Sequence, residues 1–120
     1  MPASSLQTRE ELQMVKECAI LPFLLDILEK DIRNMEASDL TGAYIERLKE
    51  IQRSFIARLN RLKSNCRAHS IIIVETHRKE YSLLLRYRCN GYEHHMELQW
   101  DFIRADIEQR LAKALHISLE

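Results

Sequence analysis

Asn90-Gly91 constrains this chain more than any other pair of residues. It separates two alternating runs, Tyr81-Ser-Leu-Leu-Leu-Arg-Tyr-Arg-Cys89 and Tyr92-Glu-His-His-Met-Glu-Leu-Gln-Trp100. Asn-Gly suits both central positions of a tight hairpin turn, and a two-residue turn sets the register of everything beyond it. Cys89 then stands opposite Tyr92, and the pairs continue as Arg88/Glu93, Tyr87/His94, Arg86/His95, Leu85/Met96, Leu84/Glu97, Leu83/Leu98 and Tyr81/Trp100. One face collects Tyr81, Leu83, Leu85, Tyr87, Met96, Leu98 and Trp100. The other is mostly polar, with the opposite charges of Arg88 and Glu93 beside the turn.

The β-branched run Ile71-Ile-Ile-Val74 precedes the hairpin and adds a third strand. A turn at Arg78-Lys79 would set Thr76 opposite Tyr81, Val74 opposite Leu83 and Ile72 opposite Leu85, prolonging the same apolar face. A helical extension over 78–88 also fits Tyr81, Leu84, Leu85 and Arg88, but the matched hairpin register favours the strand. A helix capped by Asp101 follows to about Leu115, with Ile103, Ile107, Leu111, Ala114 and Leu115 inward.

Two helices lead into the meander. Thr8-Arg-Glu-Glu11 is a capping box, which predicts a helix over 9–35 carrying Leu21, Leu24, Leu25, Leu28, Ile32 and Met35 at helical spacing. Pro22 removes a backbone donor and crowds the carbonyl of Cys18, so a kink or break is expected near 18–22. Around it the sequence is apolar on nearly every side, from Cys18 to Leu25, as in a helix buried all round. Ser38 or Asp39 can cap a second helix over 39–67 with the stripe Tyr44, Leu48, Ile51, Phe55, Leu59, Leu62 and Cys66. The short connection makes the two helices antiparallel neighbours. At 1.5 Å per residue each would run roughly 40 Å, longer than the ~35 Å diameter of a compact chain of this size.

The expected fold is therefore α+β in the order α-α-β-β-β-α. It reads as a single domain over 1–120, with a long antiparallel helical hairpin (8–67), a three-stranded antiparallel β-meander (70–100) and a C-terminal helix (101–116). With 120 residues, 46% of them hydrophobic, one core can form and two cannot.

Charge excludes some functions and leaves others. The 18 basic residues equal the 18 acidic ones, so no whole-molecule field calls for a polyanion or an acidic membrane. Locally, residues 46–67 hold Arg47, Lys49, Arg53, Arg58, Arg61, Lys63 and Arg67 against Glu46 and Glu50, while residues 1–36 and 93–120 each carry a net charge of −3. Three widely spaced cysteines, no basic-then-apolar leader and no apolar run of membrane-spanning length point to the cytoplasm and away from a membrane.

Catalytic signatures are missing. Two glycines cannot build a phosphate loop, a dinucleotide fingerprint or a nucleophile elbow. No enzyme activity and no cofactor are expected. A metal has weak candidates: Cys66-Arg-Ala-His69 and Cys89 with His94 have a loose ligand spacing, and the meander brings both segments to one end of the sheet. The competing reading leaves Cys66 in a helical stripe and His94 beside Tyr87.

Two functional readings remain. The first is a small non-enzymatic protein-interaction module, a regulator, adaptor or assembly factor, that forms a homodimer through its long helices or binds a protein partner. Ile20, Phe23, Leu24, Ile27 and Phe55 would line that interface. The second is nucleic-acid binding through the basic helix, with Arg47, Arg58, Arg61 and Arg67 on phosphates. Against it, arginines beside an apolar stripe commonly pair with acids of a neighbouring helix, and the acidic first helix is at hand.

Overall fold

Thr8 opens the first helix as its sequence requires. Its hydroxyl accepts from the Glu11 backbone N–H at 3.0 Å, and the Glu11 carboxylate accepts from the Thr8 N–H at 3.0 Å. The computed structural model describes residues 7–38 and 42–116. Helix α1 spans Arg9–Ala37 and α2 spans Gly42–Ala68. The break expected near Pro22 does not occur: α1 runs through it unbroken. Tertiary packing holds the helix there, because Ile20, Leu21 and Leu24 on either side of the proline are fully buried.

Ser38 ends α1 instead of starting α2. Its backbone N–H and its hydroxyl both donate to the Asn34 carbonyl, at 3.1 and 2.8 Å. Asp39, the other expected cap, lies outside the described residues. On α2 the buried stripe is Ile45, Leu48, Ile51, Phe55, Leu62 and Cys66, so Ile45 takes the place expected of Tyr44, which is exposed.

Strands β1 (Ile71–Arg78), β2 (Ser82–Cys89) and β3 (Tyr92–Gln99) form an antiparallel meander in the order β1-β2-β3. Asn90 and Gly91 both have positive φ, 54° and 85°, the turn whose twist matches that of paired strands. Every β2/β3 pair from Cys89/Tyr92 to Leu83/Leu98 is in the expected register, and Trp100 N–H donating to the Tyr81 carbonyl at 3.0 Å continues it. Across the outer face, Arg86 is the guanidinium that reaches Glu93, at 2.9 Å, and Glu75, also at 2.9 Å. Arg88 faces Glu93 in register but is not its ion-pair partner.

The β1/β2 register differs from expectation. Ile71 pairs with Cys89 and Ile73 with Tyr87, then the ladder shifts and resumes as Thr76/Leu85 and Arg78/Leu83. The turn is longer than supposed, closed by Lys79 N–H donating to the Ser82 carbonyl at 2.8 Å. The irregularity falls at Val74, between Ile73 and Glu75. A bulge of this kind flips the alternation, so Ile71 and Ile73 turn inward while Ile72 and Val74 are exposed. Tyr81, beyond the core, is exposed too.

Helix α3 spans Trp100–Ala114 and buries Ile103, Ile107 and Ala112. Its cap is Gln99, whose side chain makes no capping bond; Asp101 lies within the first turn and pairs with Arg104. Trp100 fastens the junction. Its indole N–H donates to the Lys79 carbonyl at 2.8 Å, and its ring meets Phe23 edge to face at 5.5 Å. The molecule measures 59 × 31 × 29 Å, elongated as two helices of this length demand.

Candidate interaction surface

Seven cations arrive on α2 within 22 positions, and the fold treats them in two ways. Some are neutralised. Arg58 contacts Glu17 at 2.5 Å, Arg47 contacts Glu50 at 3.1 Å and donates to the Ala114 carbonyl at 3.0 Å, and Lys49 reaches Glu36 at 3.1 Å. Arg53, Arg61, Lys63 and Arg67 enter no ion pair among the described residues and stand exposed. Of the four arginines expected to face phosphates, Arg47 and Arg58 are therefore engaged within the chain, whereas Arg61 and Arg67 present uncompensated charge.

Helices α2 and α3 line the two sides of a groove of about 500 Å³, with Ser54, Phe55, Arg58, Arg61, Asp106 and Arg110 among its walls. Glu17 is the anchor beneath it. Its carboxylate takes both Arg58 and Arg110, the latter at 3.1 Å, so a single acid on α1 joins α2 to α3. Arg110 also pairs with Asp106. Burial opposes the charge on Arg110, but these two carboxylates outweigh it and raise its affinity for the proton.

The apolar residues expected at a partner interface divide differently. Ile20 and Leu24 are fully buried and Phe55 nearly so, all in the chain's own core. That corrects the expectation for these three: α3 and β1 cover the sides of α1 that a lone helical partner would leave open at Ile20 and Leu24, and Phe55 of α2 is buried in the same core cluster. Phe23 is half-buried against Trp100, with the Arg78 guanidinium 4.9 Å from its ring centre. Ile27 remains, 42% exposed. Two residues the stripes did not single out as surface, Tyr44 and Ile56, are each 44% exposed on α2. Ile27 and Ile56 both fall between two of the hairpin's cross-contacts, Glu29 with Gln52 and Cys18 with Cys66.

The metal candidates do reach one end of the sheet, but they divide among three separate sets of contacts. The Cys66 thiol lies 3.3 Å from that of Cys18. The His94 ring stacks on Tyr87 at 5.5 Å and accepts from the Gln7 amide at 2.9 Å, while the Tyr87 hydroxyl donates to the same amide's oxygen at 2.6 Å. His69 and Cys89 converge on the buried Glu11 carboxylate, each at 3.5 Å. Among the described residues no group of three or more His, Cys, Asp or Glu could hold a metal ion.

Glu11 thus closes the helix cap with one oxygen and pins the hairpin turn with the other. The Thr8 backbone N–H, aided by Cys89 and His69, holds its carboxyl below the usual range against the opposing effect of burial. Burial and the adjacent carboxylate push the Cys89 thiol up to about 11, so it serves as a proton donor to Glu11 and not as a thiolate. The capping box pointed to Glu11 only as a local partner of Thr8; nothing in the sequence revealed its second contact, or those of Gln7 and Cys18.

Among the described residues no helix is long and apolar enough to cross a membrane. No curated protein and no solved structure matches the chain significantly. The sequence model of the YhjD protein family, by contrast, covers residues 6–119, nearly the full length, and the chain belongs to that family.

Proposed function

We propose that this chain is a non-enzymatic interaction module that pairs with a second copy of itself, or with a protein partner, through the outer side of the α1–α2 hairpin, and that it works in the cytoplasm as a regulator, adaptor or assembly factor. One observation carries the reading. The core is fully supplied by Leu21, Leu24, Leu28, Leu83, Leu85 and Tyr87, yet Ile27, Tyr44 and Ile56 remain about half exposed on a hairpin that dominates a 59 Å long molecule. Large apolar side chains left open on a long paired helical surface suit a helix-face contact.

Light scattering coupled to gel filtration tests it across micromolar concentrations. A dimer is expected, with Ile27→Asp and Ile56→Asp each shifting the protein to monomer without changing its circular dichroism. A monomer throughout the range refutes self-association, and an unchanged dimer in both variants moves the contact elsewhere.

Nucleic-acid binding is the second reading, and the charge of Arg53, Arg61, Lys63 and Arg67, in no ion pair among the described residues, favours it. Retention on heparin and a salt-sensitive shift of DNA or RNA are its signatures. Indifference to both removes it.

A further inference from the structure

We propose that Cys18 and Cys66 form a dithiol site that a hydroperoxide converts to a disulfide bridging α1 and α2. The two sulfurs sit 3.3 Å apart on neighbouring antiparallel helices, in contact across the hairpin. A disulfide needs about 2.05 Å, so closure requires only a small movement. The backbone at Cys18 has room to make it. Pro22, one turn on, has no N–H, which leaves the Cys18 carbonyl without its intrahelical partner.

The two thiols differ in access, which assigns their roles. Cys18 is half-buried and lines a mainly apolar groove of about 320 Å³ between α1 and β1, beside Pro22, Phe23, Ile73 and Arg78. Cys66 is buried behind it. Cys18 therefore meets the oxidant and Cys66 resolves the product. Cys89 is buried against Glu11 instead and serves as an internal control.

Hydrogen peroxide suffices as the oxidant. The Cys18 sulfur, losing its proton to solvent, attacks one peroxide oxygen; an S–O bond forms, the O–O bond breaks, and hydroxide leaves and takes up a proton as water. The Cys66 sulfur, likewise losing its proton, then attacks the Cys18 sulfenic acid. An S–S bond forms, the S–O bond breaks, and a second water departs. Two thiols and one peroxide yield one disulfide and two waters, with two electrons passing from sulfur to oxygen. A small-molecule thiol reverses the change by exchange. Burial, and then the neighbouring Cys66 thiol, push the Cys18 thiol well above its ordinary value, so the first step is slow compared with that of an exposed cysteine.

The experiment treats the folded full chain with hydrogen peroxide, quenches, denatures without reductant, and measures free thiols and intact mass. The thiols should fall from the three cysteines of the reduced chain to one, with a mass loss of about 2 Da, a Cys18–Cys66 cross-linked peptide on digestion, and full reversal by dithiothreitol. Closing so long a loop should also raise the thermal midpoint by roughly 5–15 °C. Cys18→Ala and Cys66→Ala should each abolish the 2 Da loss and Cys89→Ala should retain it. Three remaining thiols, oxygen addition at Cys18 without a bridge, or cross-linking between chains would overturn the proposal. Because the peptide map of the unsubstituted chain decides by itself, a variant that fails to fold does not obscure the result.

Discussion

Removing the charge of Glu17 should cost stability, because one buried carboxylate holds two arginines on two other helices. Its side chain is 12% exposed and meets Arg110, 15% exposed, and Arg58, 49% exposed. Breaking a fully buried pair by deleting one partner typically costs about 3–5 kcal/mol, because the remaining charge stays out of water. Two features reduce that figure here. Arg58 is open enough to be resolvated, so its share falls to about 0–1 kcal/mol. Arg110 keeps Asp106 as a second partner. Glu17→Gln preserves the side-chain shape and some hydrogen bonding, which leaves a loss of about 2 kcal/mol, or roughly 8 °C in the thermal midpoint. Urea denaturation at pH 7 measures it, and double-mutant cycles divide it. The coupling of Glu17 with Arg110 should exceed its coupling with Arg58, which should stay below about 1 kcal/mol. A Glu17→Gln variant within about 0.5 kcal/mol of the parent, or equal couplings to the two arginines, would refute the view that burial decides the strength of this junction.

Three further outcomes are expected. Because the Glu11 carboxyl is held below the usual range in the folded chain, its stabilising contribution is complete above that range and is lost as pH falls through the depressed value. The stability gap between the parent and Glu11→Gln should therefore be widest near neutrality and narrow below about pH 4, and parallel urea midpoints from pH 3 to 7 would contradict this. Gly91→Ala should lose about 1 kcal/mol, since φ is 85° there while a Cβ would meet nothing within 4 Å, so the cost is backbone strain alone; an unchanged urea midpoint would show that the turn relaxes. If the nucleic-acid reading holds, Arg61→Glu with Arg67→Glu should reduce the slope of log affinity against log salt by about 2 in fluorescence anisotropy, whereas the paired Arg47→Glu should change it less.

The β2/β3 hairpin was readable pair by pair because a two-residue turn leaves no freedom of register. The pairing of β1 was not, for a related reason. The connection Lys79-Glu80-Tyr81 carries no glycine, proline or Asn-Gly signal to mark its length, and four consecutive β-branched residues fit either face equally well. The bulge at Val74 resolves that degeneracy, and only packing against the helices can select it. The Pro22 break failed as an expectation for the same reason. Local propensity argued for it, but burial of Ile20, Leu21 and Leu24 outweighs one absent hydrogen bond.

Surface and core could be separated only in part, and the misassignments share a cause. Ile20 and Leu24 looked surplus because a helix apolar on several sides exceeds what one helical neighbour can cover. In the fold α1 has three neighbours, α2, α3 and β1, so the surplus is absorbed. The same argument run on charge has the opposite result. Among the described residues the acids of α1 that form ion pairs with α2 are Glu17 and Glu36, which meet Arg58 and Lys49. Among the described residues Arg53, Arg61, Lys63 and Arg67 enter no ion pair, and an acidic or phosphate-bearing surface is the chemistry that would complete them.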